Sequence, residues 1–114
     1  MDARRGQFYN ALFKNGKRLT EDRAICAEEL SAELKEYGLP VIVCGDGASL
    51  LCSLLPDIPF IIPPDRLIYP SASEAAKLAL KKYENAIDKT VFTDLNFKPV
   101  YLRPSQAERN KKSI

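Results

Sequence analysis

The apolar and polar positions near the N-terminus follow the pattern of a β-hairpin. Residues 7–13 combine aromatic and aliphatic side chains in an order that suits an extended strand. Asn15-Gly16 follows, and both residues tolerate the positive φ angles of a type I′ turn. We therefore expect a returning strand over residues 17–25. A rival interpretation starts a helix at Glu21, but it would leave the turn without a second strand.

After residue 26 the apolar positions follow the period of a helix rather than the pattern of a strand. Apolar side chains recur at spacings of three and four residues between 27 and 37, which places them on one helix face. These side chains are Ala27, Leu30, Leu34 and Tyr37. Gly38 supplies a stop signal at the end of this helix. The apolar run 40–44 then suits a short strand that is buried on both faces.

The middle of the chain repeats the strand and helix pattern. Gly45-Asp46-Gly47 turns the chain, a short apolar helix is expected over 48–55, and a brief strand over 60–62. The order of hairpin, helix, strand, helix, strand and helix predicts one α/β domain with a mixed sheet and flanking helices. The N-terminal hairpin would be antiparallel and the later strands parallel.

The next segment predicts a loop and a second long helix. Pro63-Pro64 opposes regular structure, so we expect a loop as far as Pro70. A helix over 73–86 follows, with Ser73 as its cap. Its buried stripe is expected to comprise Ala76, Leu80, Tyr83 and Ile87. Leu80 and Tyr83 would share one core with Leu30, Leu34, Val41 and Val43.

The C-terminal segment predicts an extended stretch and a frayed tail. Residues 99–102 suit an extended chain in which Val100 and Leu102 pack inward. Arg103 is then free either to bind within its own domain or to contact a partner. The tail 106–114 is expected to be frayed.

Composition excludes several classes of protein. A chain of 114 residues with 46% hydrophobic and 28% charged residues is expected to form one globular domain. Its net charge of +2 is too small to indicate a nucleic-acid binder. No apolar run approaches the ~20 residues of a membrane span, and no secretory signal pattern opens the chain. We therefore expect a cytoplasmic protein without a membrane contact.

The absence of histidine excludes common catalytic systems. A nucleophile activated by histidine, or a histidine-ligated metal centre, cannot be built from this chain alone. Cys26, Cys44 and Cys52 each lie in an apolar run, so we expect buried thiols rather than a disulfide framework or a zinc site. The sequence predicts no catalytic residue, no metal and no cofactor.

Charge is distributed unevenly along the chain. Residues 21–36 hold six acidic and two basic side chains, whereas 77–112 hold nine basic and four acidic ones. One interpretation is an acidic helix that faces a partner and a basic patch that meets RNA. The other is that these are two solvated helix faces and a soluble tail.

Four short segments carry a family resemblance. They are Asp2-Ala3-Arg4-Arg5-Gly6-Gln7-Phe8-Tyr9, Gly45-Asp46-Gly47, Tyr69-Pro70-Ser71-Ala72, and Pro99-Val100-Tyr101-Leu102-Arg103 with Ala107-Glu108 after it. In this order and spacing they resemble the corresponding segments of the TsaB (YeaZ) family, and together they cover nearly the whole chain.

The resemblance implies a ribonuclease-H-like domain of the actin-like ATPase (ASKHA) type. Residues 1–114 would be the C-terminal domain of a TsaB-type protein, and a preceding domain of similar size is expected outside this chain. Members of the family are accessory, non-catalytic subunits in the synthesis of threonylcarbamoyladenosine in tRNA. Their partners are the TsaD-type catalytic subunit, contacted largely through the N-terminal domain, and the TsaE-type ATPase. The resemblance leaves open whether the chain forms a homodimer, and it implies at most an indirect contact with tRNA. The older glycoprotease label of the superfamily gains no support, because its histidine metal motif is missing.

The resemblance also points to nucleotide-like sites. Asp2, Arg4, Arg5 and Gly6 occupy the place of a phosphate-holding hairpin in actin-like ATPases, although a plain solvated hairpin is the alternative. The Gly45-Asp46-Gly47 turn could hold an adenosine or a phosphate, but the Asp46 carboxylate would repel phosphate, and a strand-to-helix turn explains the segment as well.

Two rival functions use the same residues. A small nucleotide-binding phosphotransferase would employ Asp2 and Asp46, and it would need a complete nucleotide cleft. An RNA-binding module would employ the basic residues near the C-terminus. Nucleotide titration tests the first rival, and salt-dependent tRNA binding tests the second.

Overall fold

The computed structural model describes residues 1–38 and 40–112, and they form two compact units. The first unit comprises Met1–Tyr69 and the segment that begins at Leu102, and the second comprises Pro70–Tyr101. No helix in these ranges is long and apolar enough to cross a membrane.

The first unit opens with the expected hairpin. Its strands are β1 (Gln7–Asn10), β2 (Phe13–Lys14), β3 (Lys17–Arg18) and β4 (Arg23–Cys26). β1 pairs with β4 and β2 pairs with β3, both antiparallel. Asn15 and Gly16 have φ angles of 51° and 74°, as a type I′ turn requires. The predicted hairpin and its turn are confirmed.

The returning strand is interrupted by a wide bulge. Asn10 pairs with Arg23, and the Leu19 N–H donates to the carbonyl oxygen of Leu12. Between these two pairs the outgoing strand has one residue and the returning strand has three, Thr20 to Asp22. The Thr20 hydroxyl accepts a 2.9 Å hydrogen bond from the Leu12 N–H, which replaces a bond of the ladder. The rival helix from Glu21 is therefore wrong, and the predicted strand is present in two pieces.

Helix α1 (Ala27–Tyr37) has the bounds that its apolar period predicts. Ala27, Leu30 and Leu34 are buried, whereas Tyr37 lies at the edge of the apolar face and is 39% exposed. Gly38 ends the helix with a φ angle of 100°, and its N–H bonds to the Leu34 carbonyl. This residue is a required glycine, because a side chain rarely adopts that φ.

A bidentate ion pair joins α1 to β4. The Arg23 guanidinium donates from both terminal nitrogens to the Glu33 carboxylate, and from Nε to the Asn10 side chain. The hydrogen bond to Glu33 raises the pKa of Arg23, against the lowering effect of its partial burial. The pair fixes the orientation of the helix on the strand.

A parallel strand pair and two helices complete the middle of the first unit. Strands β5 (Val41–Ile42) and β6 (Phe60–Ile61) pair in parallel, and helix α2 (Ala48–Leu54) joins them. The prediction of a strand buried on both faces is wrong, because the Ile42 side chain is 66% exposed. A one-turn helix α3 (Asp65–Ile68) replaces the expected loop. Pro64 immediately precedes it, where its missing N–H costs no helical hydrogen bond.

The core of the first unit lies between these helices and strands. Its buried side chains are Phe8, Ala27, Leu30, Leu34, Leu51 and Ile58. Val41 and Val43 are partly buried and pack against it, in agreement with the sequence. Strand pairing differs from the prediction of one mixed sheet. The described residues form three two-stranded sheets, and β5 pairs with no strand except β6.

The second unit consists of one long helix and two short turns. Helix α4 (Ala72–Asn85) is capped by Ser71 rather than by the predicted Ser73. Single 3-10 turns follow at Lys89–Val91 and Asp94–Asn96. The predicted buried stripe is wrong, because Leu80, Tyr83 and Ile87 are exposed and Ala76 is exposed too. Within the unit, the Tyr83 ring packs edge-to-face on Phe92 and lies under the Lys89 ammonium.

The segment after α4 also departs from the sequence prediction. Val100 is 79% exposed instead of packing inward. Leu102, which returns to the first unit, is half-buried as expected. The predicted frayed tail is a helix instead, α5 (Gln106–Lys112). Residues 113–114 of the expected tail lie outside the described residues.

Candidate functional site

The Asp2–Gly6 segment forms a tight turn in which three successive residues are left-handed. Arg4, Arg5 and Gly6 have φ angles of 64°, 57° and 71°, and we call them the arginine turn. Each left-handed residue other than glycine costs about 1–2 kcal/mol. The Gln7 N–H donates to the Arg4 carbonyl, and the Ala3 N–H donates to the Gln7 carbonyl. The turn therefore joins an antiparallel pair in which Asp2 lies opposite Phe8.

The Asp2 carboxylate stabilises the strained turn. Its Oδ1 accepts a 2.7 Å hydrogen bond from the Arg4 N–H, and its Oδ2 lies 3.6 Å from the Arg4 guanidinium. The Asp2 side chain is 26% exposed, whereas that of Arg4 is 86% exposed. An aspartate two residues before a left-handed position commonly supplies this contact. Asp2 is thus held by its own turn, and Arg4 extends into solvent.

The Gly45–Gly47 turn connects β5 to α2. Gly45 has a φ angle of 102°, and its N–H donates a 2.6 Å hydrogen bond to the Ile68 carbonyl in α3. The Ala48 N–H bonds back to the Gly45 carbonyl, and the Leu51 N–H bonds to the Gly47 carbonyl. The segment is a strand-to-helix turn, as one of the two sequence interpretations has it.

The Gly45–Gly47 turn lies against the N-terminal stretch that precedes the arginine turn. A Cβ atom on Gly47 would stand 2.8 Å from the Asp2 nitrogen and 3.2 Å from the Phe8 ring. The Met1 nitrogen lies 3.8 Å from the Asp46 carboxylate. Sequence reasoning treated these segments as separate candidate sites, and the structure brings them into one. Gly47 is needed because the backbone of the N-terminal strand occupies the space of a side chain.

Arg103 ties the C-terminal segment to the same hairpin. Its Nη1 donates a 2.9 Å bond to the Gln7 side chain, and its Nη2 donates a 2.8 Å bond to the Ala3 carbonyl. The guanidinium carbon lies 5.8 Å from the centre of the Tyr9 ring, within the range of a cation–π contact. Of the two roles open to Arg103, binding within its own unit is therefore the one with contacts in the structure.

Helix α5 adds a second connection to the arginine turn. The Gln106 side-chain oxygen accepts a 2.8 Å bond from Arg5 and a 2.9 Å bond from Arg109. The start of the helix is a capping box, in which the Glu108 carboxylate accepts from the Ser105 N–H and the Ser105 hydroxyl accepts from the Glu108 N–H. Both bonds lower the pKa of the Glu108 carboxyl.

Sequence reasoning missed Gln7, Tyr9 and Gln106 as members of this site. Neutral side chains carry no charge pattern, so only the fold reveals that they bind the arginines. The capping box did have a signal in the sequence, because Ser105 precedes Glu108 by three residues, the spacing that such a box requires. That signal predicts a helix where a frayed tail was expected.

The arrangement suits recognition of anions better than chemistry on them. Arg4 offers a solvent-exposed guanidinium, which can bind a carboxylate or a phosphate with two parallel hydrogen bonds. The Asp46 carboxylate is 55% exposed and repels phosphate from the Gly45–Gly47 turn. Among the residues that the structure describes, no group of three acidic, cysteine or histidine side chains is placed to hold a metal.

The three cysteines lie outside this chemistry. All are free thiols, and Cys26 and Cys52 are half-buried. The prediction of a buried thiol is wrong for Cys44, which is exposed, because the strand before it has one face open to solvent. The cysteines therefore pack as small side chains or face water.

Comparison with known proteins identifies no relative. No family model, no curated protein and no solved structure matches the chain.

Proposed function

We propose that this chain is an accessory, non-catalytic domain in the synthesis of threonylcarbamoyladenosine in tRNA, and that it supports a TsaD-type catalytic subunit. The observation that carries the proposal is the meeting of three of the four family-like segments. The Asp2–Tyr9 segment contacts the Gly45–Gly47 turn through Asp2 and Phe8, and it contacts Arg103 through Ala3 and Gln7, although the three segments are far apart in sequence. The fourth segment leads into helix α4.

The contacts of the site favour a structural and binding role. Asp2 is bound to its own turn, and Arg103 is bound to Gln7 and Ala3. These groups hold the N-terminal strand and the C-terminal segment together, and no charged side chain among them is left buried and without a partner to perform chemistry. The exposed guanidinium of Arg4 is the group best placed to meet a partner.

The composition supports the absence of a catalytic role. Without histidine, the chain has no ordinary general base that titrates near neutral pH. A catalytic subunit must therefore supply the transfer chemistry, and the ATPase must supply nucleotide hydrolysis. The proposal places this chain in the cytoplasm, where tRNA is modified, with tRNA itself met at most indirectly.

Reconstitution tests the proposal. The protein that contains this chain would be mixed with the TsaD-type and TsaE-type proteins of the same genome, unmodified tRNA, threonine, bicarbonate and ATP. We expect a complex on gel filtration and a modified nucleoside that forms only when all three proteins are present. Equal modification without this protein, or no complex with either partner at micromolar concentration, would reject the proposal.

The exposed arginine favours RNA binding as a second candidate. Arg4 and, in α5, Lys111 have exposed cationic side chains. Direct contact with tRNA would give a dissociation constant that rises steeply with salt, because released counterions drive such binding. An Arg4→Gln variant that lost tRNA affinity but kept its complex with the catalytic subunit would favour this candidate.

A further inference from the structure

The positive charge of this chain is concentrated in its first and last segments. Residues 1–18 and 102–112 hold nine basic and two acidic side chains, whereas residues 19–101 hold eight basic and thirteen acidic ones. The two basic segments are far apart in sequence, but the structure brings them together, because Arg103 bonds to Ala3. The small net charge of +2 therefore conceals a strongly basic region of the first unit.

The antiparallel pair of β1 and β4 separates acidic from basic side chains. Phe8 of β1 and Ile25 of β4 project from one face of the pair, where they meet the buried residues of α1. That helix carries four glutamates and one lysine. Gln7 and Tyr9 project from the other face, which we call the outer face. Arg103 lies on the outer face, where it donates to Gln7 and covers the Tyr9 ring.

A second arginine lies on an aromatic ring farther along the outer face. Leu12 packs against the core, so Phe13 beside it faces outward, and it is 59% exposed. Phe13 pairs across the hairpin with Arg18, whose guanidinium carbon lies 4.8 Å from the ring centre. The Asp22 carboxylate accepts a 2.8 Å bond from this guanidinium and holds it in place. The outer face thus carries two contacts between an arginine and an aromatic ring, about 13 Å apart along the extended chain.

The end of the hairpin adds two lysines. Lys14 and Lys17 are paired directly across the two strands, and both are exposed. Like charges in this position destabilise a hairpin, so stability does not explain them. Lys14 donates to the Tyr37 carbonyl. Among the residues that the structure describes, none bonds to the Lys17 ammonium, which leaves this cation to a partner.

We propose that the outer face of the N-terminal hairpin, together with the lysines at its end, binds a single-stranded segment of RNA. The cations suit phosphate groups, and the Phe13 ring with the Arg18 guanidinium plane suits an unstacked base. An acidic peptide would use the cations alone, and a duplex would keep its bases inside its own stack. A direct contact with RNA extends the proposed subunit role, which by itself involves tRNA at most indirectly, and it does not depend on that role.

Fluorescence anisotropy with the intact protein tests this inference. The probe is a labelled uridine oligonucleotide of about 12 nucleotides, a length within the site sizes of single-strand binders. We expect a dissociation constant that rises with salt, because the bound cations release counterions from the RNA. A duplex RNA of equal length should bind more weakly, since its bases are not free to stack. Equal affinity for the single strand and the duplex would contradict binding through unstacked bases.

Two substitutions separate stacking from charge. Phe13→Leu should weaken binding by about five- to 150-fold, the effect of losing one stacked base, and should leave the salt dependence unchanged. Lys17→Gln should reduce the slope of log affinity against log salt by about 0.7, the share of one phosphate contact on a single strand. The matched control is Lys35→Gln, which removes the same charge from α1 and should change neither quantity. Equal melting midpoints verify that each variant is folded.

Three results would overturn the inference. The first is an unchanged anisotropy at about 0.1 mM protein, the weak end of non-specific affinities for nucleic acids. The second is an equal effect of Lys17→Gln and Lys35→Gln, which would show that the charge does not act through this face. The third is displacement of the RNA by polyglutamate with full affinity in Phe13→Leu, which would make an acidic protein segment the occupant. None of these measurements uses a TsaD-type protein, so their failure is distinct from a failure of the subunit role.

Discussion

The Arg103 guanidinium donates a 2.8 Å hydrogen bond to the carbonyl oxygen of Ala3, a residue 100 positions earlier in the chain. The same side chain bonds to Gln7 and lies over the Tyr9 ring. One residue thereby holds the C-terminal segment on the N-terminal hairpin. This contact explains why the first and last family-like segments belong to one site.

Replacement of Arg103 should destabilise the first unit. Arg103→Ala removes two charge-assisted hydrogen bonds, so we expect a loss of about 1.5–3 kcal/mol in the free energy of unfolding. Arg103→Lys should recover only part of it, because an ammonium group cannot reproduce the planar fork. The control is Arg66→Ala at an exposed position, and urea unfolding measures all three. Equal midpoints for Arg103→Ala and the control would show that the contact contributes nothing.

Gly47 tests the close approach of the Gly45–Gly47 turn to the N-terminal stretch at Asp2. Its φ of −85° suits any residue, so Gly47→Ala introduces a purely steric conflict with the Asp2 nitrogen, 2.8 Å away. We expect a loss of about 1–3 kcal/mol, which is typical of overpacking against backbone. Ser49→Ala, at an exposed position of the helix α2 that follows Gly47, should stay within about 0.5 kcal/mol of the parent. A thermal melt of Gly47→Ala that matched the parent would contradict this packing.

The two long helices should respond differently to the same substitution. Leu34 in α1 is 3% exposed and Leu80 in α4 is 57% exposed. Leu34→Ala should cost about 2–5 kcal/mol, because it removes buried surface and leaves a cavity. Leu80→Ala should change stability by less than about 0.5 kcal/mol. Chemical denaturation measures both, and a comparable loss at Leu80 would mean that its side chain is buried in solution.

The contrast between α1 and α4 shows which features of the fold can be predicted from the sequence. The hydrophobic period predicted the bounds of α1, and the Asn15-Gly16 pair predicted the turn, because both features depend on neighbours within a few residues. The same kind of period in α4 predicted a buried stripe, and its side chains are exposed. Periodicity identifies an amphipathic face, but it does not say what covers that face.

The candidate site was predictable only in part. The arginine turn and the Gly45–Gly47 turn were recognised as separate segments, and Arg103 was recognised as a candidate contact. These segments come together through contacts between residues up to 100 positions apart in the chain. No local sequence pattern encodes such contacts. The bulge after Thr20 and the single-turn helix α3 were missed for a different reason. Both are small departures within a loop or strand, too short to leave a hydrophobic period in the sequence.

Acid should unwind the start of α5. The Ser105 bonds lower the pKa of Glu108, so the folded helix prefers the ionised carboxylate. This stabilisation is complete above the ordinary pKa of the carboxyl and is lost as the pH falls through its lowered folded value. Chemical shifts of the Ser105 amide should follow that titration. Glu108→Gln should remove the pH dependence, and an unchanged acid titration of this amide in the variant would show that Glu108 is not its cause.

The content of threonylcarbamoyladenosine in cellular tRNA tests the central proposal most directly. In cells depleted of the protein that contains this chain, we predict that liquid chromatography and mass spectrometry of digested tRNA will show a progressive loss of this nucleoside. Expression of the intact protein should restore it. Unchanged levels of the nucleoside after complete depletion would contradict a role in this modification.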